Sequence, residues 1–323
     1  MRIGIKTSQA GYSYRELSQI WRRADELGFD SAFLYDHLSG VGNPKDDVLE
    51  AYSTLAALAR DTAVMKIGIM ATNVMYRNPA LLAKISSTVD QISNGRLILG
   101  LGLGWNEPEI KSYGYSFATV RERINQLLET IKVVKMMWCE ERPTFNGANH
   151  SIESALNYPK PVQKYPPIWI GIMTGTNTLP RIAVKYADGF NTTSSLDLCK
   201  KMIYSAEDER ITIGARRDAY TYSLQASVLT GSDIELQKIA DFEAPRRSMT
   251  KESYFETLKK EGWLVGSPEY VAGVLEDYLK GGIDYLLIAV GSDRLGWPLE
   301  VVKDRLVPLL RSKSGVYLSQ PVV

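Results

Sequence analysis

Eight short apolar runs, separated by segments with helical periodicity, constrain the fold of this chain more than any other feature. Such an alternation is typical of repeated βα units around a parallel sheet. Eight units in succession favour a closed (β/α)8 TIM barrel over an open doubly wound sheet, which stays as the alternative. The predicted strands span residues 3–7, 31–35, 66–72, 96–103, 167–172, 189–193, 220–229 and 285–290.

Capping signals predict where several of the intervening helices begin. Ser13 with Glu16 forms a capping-box pattern ahead of an apolar-periodic segment. Asn78 precedes Pro79, which suits the first helical position. The longest helical pattern covers residues 119–138. These signals agree with helices packed around a parallel barrel.

Two segments interrupt the alternation. Residues 140–166 are rich in proline, asparagine and glycine and predict a loop or hairpin, whereas residues 232–263 are charged and helical in pattern. Neither reads as a linker, so residues 1–323 are interpreted as one domain with two insertions. We expect both insertions to lie near the carboxyl-terminal mouth of the barrel, where they would cover a ligand.

Composition excludes several classes of protein. A net charge of +1 gives no reason to expect nucleic acid or an anionic membrane as a partner, and no apolar run is long enough to span a bilayer. Two cysteines and two histidines are too few for a disulfide framework or a multi-histidine metal centre. The sequence therefore predicts a cytoplasmic protein with reduced cysteines and no metal.

The fourth apolar run ends in a polar cluster. Glycine alternates along this run: Gly100, Gly102 and Gly104. Residues without a side chain let another backbone or a flat ligand come close. Asn106 and Glu107 follow at the carboxyl end, where barrel proteins place their functional residues. Asn106 offers both donors and acceptors to the edge of a ring.

The second strand ends in two titratable residues, Asp36 and His37. Histidine is suited to donate or accept a proton near neutral pH, although a helix cap beside a partly buried histidine is an equally valid interpretation. Glu107 is read either as a carboxylate beside His37 or as a favourable charge in the first turn of a helix.

Two further loops are candidates for binding a cofactor. Ala71, Thr72 and Asn73 form a shelf for a flat ring, or else an ordinary strand-to-helix loop. Gly175 and Thr176 precede a predicted helix, where free backbone N–H groups can bind a phosphate. The alternative for the second loop is a capped helix start.

Taken together, these segments resemble the luciferase-like (bacterial luciferase superfamily) flavin- or deazaflavin-dependent oxidoreductases, and the F420-dependent branch in particular. The resemblance runs nearly from end to end and implies an eight-stranded α/β barrel with an insertion region. It is carried by residues 24–30, 35–38, 76–84, 90–96, 100–107, 113–117, 187–191 and 266–269.

The resemblance also implies roles for individual residues. His37 and Glu107 would be catalytic, and the Met70-Ala71 peptide would be a non-prolyl cis bond that bulges against the cofactor ring. Gly175 and Thr176 would bind the cofactor phosphate. The implied cofactor-binding residues are Asp36, Met70, Ala71, Thr72, Asn73, Asn106, Gly175 and Thr176.

The implied reaction is hydride transfer between coenzyme F420 and an unidentified small organic substrate. The alternative is an FMN-dependent monooxygenase that uses reduced flavin and oxygen; a non-catalytic flavin-binding protein and a metal-dependent hydrolase are weaker alternatives. F420-dependent sugar-phosphate dehydrogenases carry a tryptophan shortly after the histidine, whereas residues 38–42 contain none, which argues against the same substrate.

The resemblance further implies a homodimer or homotetramer. Gln9 is expected on the substrate side, and Arg77 in an ion pair rather than in an anion site.

Overall fold

Eight parallel strands form the centre of the computed structural model, which describes residues 1–291 and 293–314. Each end of these eight strands lies within one residue of the end predicted from the sequence. The barrel strands are β1 (Arg2–Lys6), β2 (Ser31–Leu34), β3 (Lys66–Asn73), β4 (Leu97–Gly102), β7 (Ile168–Ile172), β8 (Gly189–Thr192), β9 (Thr221–Thr230) and β11 (Tyr285–Val290). Outside the barrel lie β5 (Phe145–Asn146), β6 (Ser151–Ile152) and β10 (Leu264–Gly266).

Pairing between the first and last strands closes the barrel. β1 pairs with both β2 and β11, and the order continues through β3, β4, β7 and β8 to β9. The ring closes because β9 pairs with β8 on one side and with β11 on the other. This closure confirms the predicted (β/α)8 barrel and excludes the open sheet.

Helices follow the strands at the predicted capping signals. Ser13 and Thr119 each form a capping box, and Asn78 caps a helix whose first residue is Pro79. The helices are α1 (Tyr14–Glu26), α2 (Ala51–Asp61), α3 (Pro79–Ile92), α4 (Glu107–Ser112), α5 (Val120–Cys139), α6 (Thr178–Tyr186), α7 (Leu196–Thr212), α8 (Asp233–Arg246), α9 (Lys251–Lys260), α10 (Pro268–Lys280), α11 (Trp297–Val301) and α12 (Val307–Ser314). No helix in the described ranges combines the length and apolarity needed to cross a membrane.

The interior of the barrel is filled by large side chains. Trp169 packs between Phe33 and Tyr285, with ring centroids 5.7 Å and 5.1 Å apart, and Met70 joins the same buried cluster. Close packing of this kind leaves no pore. Within the described barrel, the space for a ligand lies above this cluster, at the carboxyl ends of the strands.

The first insertion lies at the end of the barrel opposite to the one expected. Within residues 140–166, Gln163 donates from its side-chain amide to Asp90 (2.7 Å) and to the carbonyl of Leu97 (2.8 Å), where β4 begins. This corrects the prediction that the segment covers the mouth. The reason is topological, since α5 carries the chain away from the mouth and the segment leads it to the start of β7.

The second insertion follows the carboxyl end of β9 and builds a small core of its own. α8 and α9 pack together, and β10 extends the sheet by pairing with the last residues of β9. Residues 232–263 contribute none of the cavity-lining side chains described below. The buried residues of this core are Leu229, Leu236, Ile239, Ala240, Ala244, Tyr254 and Leu258.

Candidate active site

A cavity of about 870 Å³ lies at the carboxyl ends of the barrel strands. Its volume falls within the range of about 300–1,000 Å³ that small-molecule and cofactor sites occupy. Apolar side chains form much of its wall: Val41, Leu103, Phe117, Val120, Ile124, Ile172 and Met173.

β3 bulges towards this cavity where it runs beside β4. The Met70-Ala71 peptide is cis, as the resemblance implied, and the pairing with β4 shifts register between Ile69 and Thr72. A Cβ atom added at Gly102 would lie 3.0 Å from the Cβ of Ala71. A Cβ atom added at Gly100 would clash with the backbone carbonyl oxygen of Ile69. The group that approaches the glycine-rich strand β4 is therefore the neighbouring strand β3.

The predicted shelf is built by alternate residues of β3. Ala71 and Asn73 line the cavity, whereas Thr72 is fully buried on the other side of the strand, with its hydroxyl 2.7 Å from that of Tyr52. This corrects the assignment of Thr72 as a ligand contact. The correction follows from the geometry of a strand, whose successive side chains point to opposite faces.

Asp36 borders the cavity but is fully occupied by protein partners. Its carboxylate accepts two hydrogen bonds from Arg77 (2.6 and 2.9 Å) and one from the backbone N–H of Asn73 (2.9 Å). Burial raises the pKa of Asp36, and the guanidinium of Arg77 opposes that shift. Arg77 also bonds Glu50 at 2.7 Å, which confirms the expected ion-pairing role of this arginine.

His37 lies beside Asp36 and faces a different partner. Its Nδ1 is 2.8 Å from Oε2 of Glu109, and its ring contacts Tyr35 and Trp105 edge-on, with centroids 5.0 and 5.6 Å apart. Because a carboxylate only accepts, Nδ1 carries the proton in this arrangement. Nε2 is then the nitrogen available to a ligand.

Glu109 is a site residue that the sequence analysis missed. It is 5% exposed and also accepts hydrogen bonds from the backbone N–H groups of Leu38 (2.7 Å) and Ser39 (2.9 Å). Burial works against ionisation, but the bonds from His37 and these N–H groups prevail and lower the pKa of Glu109. Glu109 is therefore held as a carboxylate against the imidazole.

Glu107 does not pair with His37, so the predicted partner has to be corrected. Glu107 is half-exposed, bonds Lys111 at 2.7 Å and does not line the cavity. Helical residues two positions apart point about 200° away from each other, so only one of the two glutamates in α4 can face β2. Helical phase is the signal that would have identified Glu109.

Asn106 and Gln9 differ in how they relate to the cavity. Asn106 lines it, and its side-chain amide does not cap α4. Gln9 is completely buried and bonds the backbone of Tyr35 through both its amide nitrogen (2.7 Å) and its oxygen (3.1 Å). Gln9 therefore supports β2 instead of lining the substrate side as expected.

Gly175 and Thr176 line the rim of the cavity just before α6. Gly175 has φ +93°, and a Cβ atom placed there would meet nothing within 4 Å. Asn177 provides no side-chain cap, because its oxygen accepts from Arg181 instead. Among the described residues, no side chain caps the first N–H groups of this nine-residue helix, which is the condition under which a helix start binds an anion.

Lys6 is a second residue that the sequence analysis did not single out. It ends β1, lies at the base of the cavity and donates a hydrogen bond to the carbonyl of Met70. Burial lowers the pKa of Lys6 to about 7. The signal in the sequence was a lysine at the carboxyl end of an otherwise apolar strand.

Fold and site together define a (β/α)8-barrel protein with a cofactor-sized cavity at its mouth, a bulged strand on one wall and a His37–Glu109 pair on another. The sequence model of the family described as "Luciferase-like monooxygenase" matches residues 1–285. The chain belongs to this family, which confirms the resemblance stated from its motifs.

Curated relatives of the chain include F420-dependent glucose-6-phosphate dehydrogenases. The chain is 32% identical to the F420-dependent glucose-6-phosphate dehydrogenase of Microbacterium testaceum over 68% of its own length, but the match spans only 65% of that relative. It is 27% identical to the enzyme of the same name from Kineococcus radiotolerans, over 96% of this chain and 97% of that one.

Two solved structures show the same fold. An F420-dependent secondary alcohol dehydrogenase in complex with an F420-acetone adduct superimposes with a TM-score of 0.81 at 22% identity, covering 96% of this chain and 99% of that one. The coenzyme F420-dependent tetrahydromethanopterin reductase of Methanopyrus kandleri gives 0.75 at 18% identity, covering 95% and 98%.

Proposed function

We propose that this protein is an F420-dependent oxidoreductase that transfers hydride between the deazaflavin and a small organic substrate. The observation that carries the proposal is the His37–Glu109 pair, which faces the same cavity as the bulged shelf at Ala71. The names of the relatives support F420 as the cofactor.

The residues around the cavity fit a planar ring with a phosphate-bearing tail. Ala71 and Asn73 would support the ring, and the amide of Asn106 would face its edge. Gly175 and Thr176 would bind the phosphate, since the uncapped start of α6 adjoins open space there. Met70 and Asp36, which also line the cavity, would shape the shelf and anchor its loop through Arg77.

When bound, the deazaflavin supplies the site that accepts or donates hydride. His37 would manage the accompanying proton: its Nε2 takes the hydroxyl proton when an alcohol is oxidised and returns it when a carbonyl is reduced. Glu109 would hold the Nδ1 proton and stabilise the imidazolium that forms. The apolar wall would exclude water from both groups.

The substrate we propose is an uncharged alcohol or carbonyl compound, not a sugar phosphate. In the described part of the chain, the lysine and arginine side chains that line the cavity are Lys6 and Arg123. Arg123 is largely buried and donates to the carbonyl of Gly104. Residues 38–42 also lack the tryptophan expected of a sugar-phosphate dehydrogenase.

A side-by-side titration of the apoprotein with F420 and FMN, followed by fluorescence, tests the cofactor. Tighter binding of F420 supports the proposal; tighter binding of FMN contradicts it and favours the monooxygenase alternative, which oxygen uptake with a flavin reductase would then measure.

Loss of F420 absorbance with a panel of small alcohols, against glucose 6-phosphate, tests the reaction and substrate class. Turnover with the sugar phosphate alone would contradict the uncharged substrate. Cofactor binding without any turnover would favour a binding protein. The mass in solution tests the predicted dimer or tetramer.

A further inference from the structure

Lys6 is a buried cation at the base of the cavity. It is 8% exposed and lies directly above the apolar cluster that fills the barrel. Its ammonium reaches the carbonyl of Met70, the residue that begins the bulge of β3. Lys6 is thus in contact with the wall on which a flat cofactor would rest.

Among the side chains that the structure describes, those of residues 1–291 and 294–312, no carboxylate lies within 4.0 Å of the Lys6 ammonium. The two buried carboxylates nearest to the cavity already have partners: Asp36 bonds Arg77, and Glu109 bonds His37 and two backbone N–H groups. An ammonium carries three donors, and the carbonyl of Met70 satisfies one of them.

Two other cations that point into the protein, Arg77 and Arg96, are satisfied by protein partners. Arg77 bonds two carboxylates, and Arg96 donates to four backbone carbonyls and to the hydroxyl of Thr62. A buried charge without partners is unfavourable, and burial accordingly lowers the pKa of Lys6 to about 7. The difference is that Lys6 faces a cavity, where a ligand can supply the missing partner.

We propose that Lys6 is a cofactor-binding residue whose ammonium donates to the acceptor atoms on the pyrimidine edge of the bound ring and balances the negative charge that this edge carries in the reduced state. The proposal rests on the proposed function, since it assumes a ring of the deazaflavin or flavin type. Both ring types share this edge, so F420 and FMN are alternative sources of the same chemistry.

The test compares Lys6→Met with the wild type, and uses Lys111→Met as the matched control because Lys111 is exposed and pairs with the exposed Glu107. Two ligands are titrated by absorbance and fluorescence, each oxidised and reduced: F420, and the same deazaflavin without its phosphate tail. A hydrogen bond to a charged group is worth about 1.5–3 kcal/mol, which corresponds to about 10–150-fold in affinity.

We expect Lys6→Met to weaken both ligands by a similar factor in this range, with the larger loss for the reduced forms, and Lys111→Met to change neither. Unchanged affinity in Lys6→Met overturns the proposal. A loss restricted to the ligand with the phosphate tail also overturns it, because the lysine would then bind phosphate and not the ring.

The outcome for the wild type separates this proposal from the proposed function. If the wild type binds FMN and not F420, the choice of F420 fails, and the same comparison with FMN and riboflavin decides the role of Lys6. If neither cofactor binds, the unfolding temperatures of the two apoproteins are compared instead. Lys6→Met should then unfold at a higher temperature than the wild type, because it removes an uncompensated buried charge. No gain in that temperature would overturn the proposal.

Discussion

Asp36 and His37 are neighbours in the chain, and each is paired with a buried side chain that can carry the opposite charge. Asp36 pairs with Arg77, and His37 pairs with Glu109. The pairs differ in which partner can lose its charge, because an arginine stays protonated at every physiological pH whereas a histidine titrates near neutrality. Two adjacent residues at the end of β2 therefore suit different tasks.

Geometry agrees with this division. The Asp36 carboxylate is 1% exposed and fully engaged by the loop that follows β3, so it holds that loop in place. The His37 side chain is 16% exposed and has one ring nitrogen left for the cavity. We propose that the permanent ion pair of Asp36 with Arg77 anchors the wall of the site and that the titratable pair of His37 with Glu109 serves its chemistry.

Substitution of the titratable pair should produce the largest effect. We expect His37→Gln to reduce the rate of F420-coupled turnover by about 10²–10⁴-fold, the usual contribution of a general acid or base, with little change in cofactor affinity or unfolding midpoint. His150→Gln is the matched control, since His150 lies in the segment at the far end of the barrel. Unaltered turnover in His37→Gln would remove His37 from the chemistry.

Breaking the permanent pair should instead affect stability. Arg77→Met leaves the Asp36 carboxylate buried and uncompensated, which typically costs about 3–5 kcal/mol in the free energy of unfolding. Urea denaturation measures this loss. The double variant Asp36→Asn/Arg77→Met should recover much of it, and a double variant as unstable as the single one would show that Arg77 acts through other contacts.

Glu109→Gln should have a smaller effect that depends on pH. The folded-state pKa of Glu109 is lowered from 4.5, so its ionised form stabilises the protein above that pH, and this contribution is lost as the pH falls through the folded value. We expect Glu109→Gln to lose about 1.5–3 kcal/mol at pH 7 and to approach the wild type in strongly acidic buffer. Urea denaturation across pH would contradict this if the difference were constant.

The barrel itself was predictable from sequence because each strand is buried on both faces and therefore reads as a continuous apolar run. The helix starts at Ser13 and Asn78 were predictable because capping is a local interaction. Residues 140–166 were misplaced because their position depends on where α5 ends relative to the barrel, and that is a property of the whole fold.

The site was predictable only to the level of the loops that form it. His37 and Ala71 were identified because they lie close to the carboxyl ends of β2 and β3, whereas Thr72 was misassigned because its side chain points to the face of β3 opposite to that of Ala71 and Asn73. Glu109 was missed because the choice between two glutamates depends on the phase of a six-residue helix. Lys6 was missed because a lone lysine at a strand end usually lies in solvent.

Glu107→Gln should have the smallest effect, and it tests the comparison most directly because it repeats the Glu109→Gln change two residues away. Glu107 forms an exposed i,i+4 pair with Lys111, and such pairs are worth about 0.3–0.5 kcal/mol. We expect turnover, cofactor affinity and the pH dependence of unfolding to match the wild type. If Glu107→Gln lowered turnover and Glu109→Gln did not, the carboxylate that serves His37 in the working enzyme would have to be Glu107, and α4 would have to rotate to bring it there.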